Sequence, residues 1–409
     1  MSAPTTSKRL SWGLGVGLCA LYLSQGVVAG VGQMLVQIEA QRGAPLEAQT
    51  GLLAWGGLPW LLKLLWGLVW DRYVRVEPQA RRRRTAALVA LQLGAGGCLA
   101  AFGALGPSPW LPALFFSLNL VVSLQDVGTD ALVVDGVAPT DRSLINGAML
   151  SARALGVGLL GGSWFVAVYI DVGQGGALLR YGTAIAALAI LVALTRQATV
   201  SAPQASAPWP SLTTLIATSG RRYALALAGL TLLGDGLSGA VAADFLQKRG
   251  GWNLTELASE LVPLQVFAEV LAFAAASVLV GRVGARRAVI VGSTALGVAW
   301  LAFAFSEGLW ASHDLVKGLA VWEASARALL LVGVYTLLMN HTEPERRATH
   351  FVVYMTLLNL PRVLDATVAP MLFDKVGYAG IWALSGLLCL GVTALSFAWK
   401  EADQGEQSV

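Results

Sequence analysis

The chain has 409 residues, 56% of them hydrophobic and only 13% charged, with a mean hydropathy of +0.65. Soluble domains carry about 25% charged residues, so this balance excludes a disordered chain, a nucleic-acid-binding arm and most soluble enzymes. It leaves a polytopic membrane protein, in which the net charge of +4 takes its meaning from where the charges fall on the topology.

A crossing helix needs ~20 apolar residues. Apolar runs punctuated by charge predict twelve spans, at roughly 11–36, 49–70, 85–106, 110–134, 143–168, 177–196, 222–246, 257–280, 286–306, 315–340, 348–371 and 377–399. The segment before the first span is short and carries Lys8 and Arg9; the apolar run after it is of spanning length with no clear cleavage site, so it reads as a helix and not a removed signal. The longest connection, 197–221, holds Pro203, Pro208 and Pro210 and no charge before Arg221. It divides the chain into a six-helix half over 1–196, a cytoplasmic linker over 197–221, a second six-helix half over 222–400 and a polar tail over 401–409. Cys19, Cys98 and Cys389 all lie in apolar runs without metal-ligand spacing and read as small core residues.

Lys and Arg placement sets the orientation. With the N-terminus in the cytoplasm, 18 of the 28 basic residues fall on that side, Arg81–Arg84, Arg286 and Arg287 among them. Six fall on the other (Arg42, Arg180, Lys248, Arg249, Lys317 and Lys375), and Lys63, Arg153, Arg327 and Arg362 lie within spans. This bias predicts both termini inside and an even number of spans. Trp12, Trp70 and Trp399 at the inner interface, and Trp110, Trp252 and Trp310 at the outer one, read as aromatic belts.

Similar punctuation recurs about 200 residues apart in the loops after spans 2 and 8 and after spans 4 and 10. Two six-span halves in parallel arrangement resemble the major facilitator architecture, which alternates access by rocking one half against the other. In that setting Asp71 and Arg72, with the arginine run beyond them, resemble the short loop motif of such transporters, an acid at a helix end that latches to a facing helix. Asp135 and Arg142, flanking the loop after span 4, belong with them as gating-loop candidates. The alternative for Arg81–Arg84 is a positive-inside anchor.

A carboxylate inside a span is a functional hypothesis by default. Asp126 and Asp130 in span 4 are four residues apart and share one helix face. They repel unless one is protonated or a cation intervenes. Arg153, at similar depth in span 5, is the predicted cation, as an Asp126–Arg153 pair; the alternative is a static structural pair. Gly156, Gly158, Gly161 and Gly162 follow on span 5 and predict close helix packing. In the second half, Glu323 and Arg327 (four apart) and Arg362 and Asp365 (three apart) read as local pairs. Asp235 lies mid-span 7, and Glu269 in span 8 has no evident local partner, which makes it, with Asp126, a candidate to load and release a proton. Lys63 either snorkels or faces the cavity. His313, His341 and His350 form no metal cluster, and no catalytic constellation or nucleotide-binding segment stands out, so the reading is a transporter and not an enzyme, without cofactor or metal.

Several stretches together resemble the major facilitator branch that contains the AmpG-type muropeptide permeases, the acetyl-coenzyme A transporters and a set of siderophore-uptake permeases. They are Leu21–Gly26, Leu58–Trp66 before Asp71-Arg72-Tyr73, Gln125–Asp135, and Asn146-Gly147 with Arg153 and Gly156. The first-half loop departs from the compact form by an inserted Glu77-Pro78-Gln79, and the second half matches mainly through Arg346–Asn359. The resemblance implies a twelve-helix permease driven by the proton gradient, with roles for Lys63, Asp126, Asp130, Asp135 and Arg153.

The expectation is therefore an all-α, twelve-helix secondary transporter of the bacterial inner membrane. It is a monomer in the lipid bilayer, it partners protons and a small-molecule substrate, and it binds no nucleic acid. Its central cavity is expected to be lined by Lys63, Trp60, Gln125, Asp235, Trp322 and Tyr354, with Trp55 also suited to stacking on rings. Arg153, Arg327 and Arg362 suit an anionic or polar solute, with a siderophore-like or peptidoglycan-derived compound as the substrate guess. The alternatives are an efflux permease for a drug or metabolite, and a non-transporting membrane assembly factor.

Overall fold

Apolar windows with mean hydropathy from 1.4 to 2.0 become helices, and in the computed structural model nine of them, among the described residues, are long and apolar enough to cross a membrane. The structure describes residues 11–73, 80–105, 110–197, 212–342 and 347–399. All regular structure in these residues is helical. The chain runs through α1 (Trp12–Gln41), α2 (Leu46–Leu61), α3 (Lys63–Tyr73), α4 (Ala80–Leu105), α5 (Leu111–Gly136), α6 (Arg142–Ala154), α7 (Phe165–Ala187) and α8 (Ala189–Val192). After the linker come α9 (Ser219–Leu230), α10 (Leu233–Lys248), α11 (Leu254–Glu256), α12 (Val262–Val283), α13 (Ala285–Ala304), α14 (His313–Asn340) and α15 (Arg347–Ala398).

Local chemistry sets the boundaries. Ser11 caps α1 by accepting from the Leu14 amide at 3.3 Å, and Asn253 and Glu256 cap each other's amides at the start of α11. The predicted loops between spans 5 and 6 and between spans 11 and 12 shrink to single glycines. The helical run turns at Gly173 (φ 73°) inside α7 and at Gly377 (φ 62°) inside α15, a conformation that only glycine adopts without strain. Pro59 lies within the last turn of α2, and the axis breaks at Leu62, so that α3 begins at Lys63. Leu155–Trp164 is π-helical and joins α6 to α7.

α1 lies along this π-helical stretch at backbone contact. A side chain at Gly30 would meet the Val157 carbonyl, and one at Gly161 would meet the Val27 carbonyl. The glycine pattern expected to pack closely does so, and it fixes α1 and α6 side by side. In the second set of helices, Phe245 sits at the centre of an aromatic cluster, 5.3 Å from the rings of Trp310, Tyr378 and Trp382, and joins α10 to α15. Trp252 and Trp310 are buried packing residues and not an outer belt, because stacking on His313 and on this cluster removes them from the surface; Trp70 is buried too, while Trp12 and Trp110 stay exposed.

The helices before residue 198 touch those after 211 at both ends of the bundle. At the end carrying Gly43, Gln49 of α2 donates to Asp244 of α10 at 3.4 Å. At the opposite end, Arg142 of α6 donates to the Met339 carbonyl at 3.2 Å and the Asn340 side chain at 3.0 Å. Between them, Gly57 backs onto Val363 and Gly158 onto Val266.

Candidate functional site

Two charge clusters sit in the interior. The first is built on the break at Leu62, which starts α3 at Lys63 and leaves that side chain 0% exposed. Its ammonium binds Asp126 and, at 3.2 Å, Asp130. The four-residue spacing on α5 aims both carboxylates at one cation, and the Tyr22 hydroxyl of α1 donates to Asp130 at 3.4 Å. A buried ion costs several kcal/mol unless paired and hydrogen-bonded, and here one cation is shared by two acids with a phenol as the second donor.

This arrangement corrects the predicted Asp126–Arg153 pair: Lys63 is the partner. α6 packs on α1 and α12 while α3 lies against α5, so Lys63 and not Arg153 pairs with the carboxylates. The choice between snorkelling and facing inward is resolved for Lys63 in favour of the interior.

The second cluster gathers three carboxylates around Arg327 of α14. Glu323 lies at 2.7 Å, one turn back on the same helix; Glu269 of α12 lies at 2.7 Å and Asp235 of α10 at 3.4 Å. Gln265 of α12 adds a hydrogen bond to Glu323 at 3.3 Å. The i,i+4 pair of Glu323 and Arg327 is present as the spacing implied. Glu269, which has no evident local partner in the sequence, is bound by Arg327 of another helix, a pairing that leaves no trace in local spacing.

Arg362 and Asp365 do not pair. The guanidinium of Arg362 lies over the Trp60 ring at 6.0 Å, whereas the Asp365 carboxylate turns against Gly236 of α10, with its Oδ2 buried and without a hydrogen-bond partner. Trp60 lies between these groups. Its indole donates to Asn119 at 2.9 Å, and its ring also carries Lys63 at 5.4 Å. Tyr335 of α14 lies within electrostatic range of Arg153, Asp126, Asp130 and Lys63, so residues from both sets of helices converge here.

Other expected cavity residues lie elsewhere. Gln125 turns toward α4 and donates to Gln92 at 2.7 Å, which in turn donates to Ser24 at 2.7 Å, forming a buried polar chain inside the first set. Trp322 is 53% exposed and donates to the Ala295 carbonyl of α13 at 3.0 Å, on a face away from Glu323 and Arg327. Tyr354 is buried and donates to the His341 carbonyl at 3.3 Å. Trp55 is half exposed and packs edge-on against Phe116. Of the gating candidates, Arg142 joins the two sets of helices. Asp71 and Arg72 belong to α3 and Asp135 to the last turn of α5, but their side chains lie outside the described residues, as does the side chain of Arg81.

Tyr22, Tyr335, Gln265, Gln49 and Asp244 were not singled out by sequence reasoning. The available signal was a polar or phenolic residue within an apolar run, which also describes many packing residues. Among the described residues, no group of three or more His, Cys, Asp or Glu side chains could hold a metal ion.

Comparison with known proteins bears on the fold that holds these clusters. Residues 255–408, from α11 onward, match the family model of the LacY proton/sugar symporter. The solved human organic anion transporter MFSD10 (TETRAN) is similar over 97% of this chain and 100% of its own, with a TM-score of 0.70 at 15% identity. The chain has the major facilitator fold of such transporters.

Proposed function

We propose that the protein is a multi-pass membrane transporter that moves a small organic solute by alternating access, coupled to protons. The observation that carries this reading is the pair of interior charge clusters, one centred on Lys63 in the first set of helices and one on Arg327 in the second. Intramembrane ions of this kind mark solute and proton pathways. The match to a proton/sugar symporter family over 255–408 supports the coupling.

The two sets act as the rocking halves. The helices that turn at Gly173 and Gly377 count as two crossings each, and α2 with α3 as one, which brings the nine long apolar helices to twelve crossings. The charge bias puts both termini in the cytoplasm of a bacterial inner-membrane protein that works as a monomer. Asp126 and Asp130 share Lys63, so one of them exchanges a proton without leaving the cation bare. The solute is siderophore-like or peptidoglycan-derived, as the resemblance of 125–135 to the permease branch implies.

The test is proton flux in proteoliposomes holding the full chain, screened with siderophores, muropeptides, acyl-coenzyme A, neutral sugars and cationic drugs. Proton movement that requires one solute class and disappears in Asp126→Asn supports the reading. Folded protein that moves neither solute nor protons across the panel overturns it.

A further inference from the structure

Asp365 of α15 is the interior acid that neither charge cluster uses. It is 5% exposed, and among the described residues its carboxyl group makes no hydrogen bond and no ion pair. Its Oδ2 fills the space left by the missing side chain of Gly236 on α10, where a Cβ would collide with it. A carboxylate closed in this way, with neither donor nor cation, is a costly state, and loss of the charge removes most of that cost. With the α10 backbone against this oxygen, a proton is the neutralising group that fits.

The charged groups on the elements packed around α15 are engaged elsewhere. Asp235, next to Gly236 on α10, is bound to Arg327, and so is Glu323 of α14. Lys63, Asp126 and Asp130 of α3 and α5 are bound to one another. α2 reaches this part of α15 where Gly57 backs onto Val363, and it carries no charged side chain between Gln49 and Leu61. Arg221 and Arg222 of α9 and Arg286 of α13 donate to backbone carbonyls at the helix ends. On α15 itself Arg362, one turn earlier, lies over Trp60.

The Gly236 cradle adjoins a helix break. α9 ends at Leu230 and α10 begins at Leu233, so Gly236 lies in the first turn of a new helix. Gly234 in the same turn also lies against α15, on the Ser385 carbonyl and the Cys389 sulfur. A shift of this turn uncovers Oδ2 without unpacking the rest of α10.

We propose that Asp365 is a proton-binding site closed by Gly236: it holds a proton while the start of α10 lies against it and releases that proton to water when the turn shifts away. The O–H bond breaks, the carboxylate keeps the electron pair, and Arg362, one turn away on the same helix, moves from Trp60 to the new charge. Reprotonation returns the arginine to the ring. This deepens the transport reading, on which it rests for the claim that the proton is the coupling ion.

The test is infrared spectroscopy of the purified full-length protein near neutral pH. The expected result is a carbonyl band of a protonated carboxylic acid that shifts in deuterated water and is lost in Asp365→Asn. The band should remain in Arg362→Gln, because the guanidinium lies over Trp60 in this form. Gly236→Ala keeps the acid but fills its cradle, so there the band should be lost or displaced; this variant carries the test if Asp365→Asn fails to fold. The same band in the wild type and in Asp365→Asn, loss of an ionised-carboxylate band instead, or an unchanged band in Gly236→Ala overturns the site.

Solute-driven proton flux in proteoliposomes separates the site from the transport reading. An Asp365-dependent band without flux of solute or protons keeps the site and removes the transport reading. Proton-coupled flux without an Asp365-dependent band does the reverse. With both present, flux that Asp365→Asn leaves unchanged overturns the part of Asp365 in coupling.

Discussion

Gln49 and Asp244 meet at 3.4 Å although 195 residues separate them, and the carboxylate they share a bond through is 1% exposed. Tyr378 also donates to Asp244, and Lys248 pairs with it at 2.7 Å. This closes the Gly43 end of the bundle, while Arg142 and Asn146 close the other against Asn340 and Thr336. Both ends of the bundle are thus bridged, and on the transport reading proposed above each bridge is a point at which the equilibrium can be tipped.

Removing the Gly43-end bridge should open that end. A hydrogen bond to a charged acceptor contributes about 1.5–3 kcal/mol, so Gln49→Ala should shift the open population by about tenfold to a hundredfold. A cysteine introduced at the buried Thr50 reports this through its labelling rate with a membrane-impermeant maleimide. An unchanged rate would show that the bond does not hold the gate.

Lys63→Met should be severely destabilising, by about 3–5 kcal/mol, because it leaves Asp126 and Asp130 uncompensated in the interior. Adding Asp126→Asn and Asp130→Asn to Lys63→Met should restore much of the thermal stability but no transport. A triple variant no more stable than Lys63→Met would mean that the three residues are not one closed electrostatic set.

Arg327 and Glu269 should be coupled. A double-mutant cycle with Arg327→Gln and Glu269→Gln, read by thermal unfolding, should give an interaction of about 0.5–3 kcal/mol. Additive single effects would contradict the 2.7 Å contact.

Gly30→Val should lower the yield of folded protein, since its Cβ would collide with the Val157 carbonyl, and overpacking costs about 1–3 kcal/mol. Gly51→Ala, with open space around it, is the matched control and should be tolerated. Equal yields would show that α1 and the π-helical stretch can separate without loss.

Much of this was legible in the sequence. Apolar run length fixed the class and most of the helices, because a backbone in hydrocarbon has no other way to satisfy its polar groups. The 3.6-residue period put Asp126 and Asp130 on one face and set Glu323 beside Arg327, because angles within one helix follow from spacing alone. The glycines after Arg153 were readable as a packing surface for the same reason.

Which helices face each other was decided only by the tertiary structure. α6 is drawn against α1 by glycines that let the backbones touch, and this turns Arg153 away from the aspartates that its depth had matched to it. The break at Leu62 delivers Lys63 to them instead. Glu269 gained Arg327 and Asp365 lost Arg362 for the same reason: a side chain's partner across a bundle depends on the rotation and neighbours of whole helices, and those are set by packing shape rather than by local spacing.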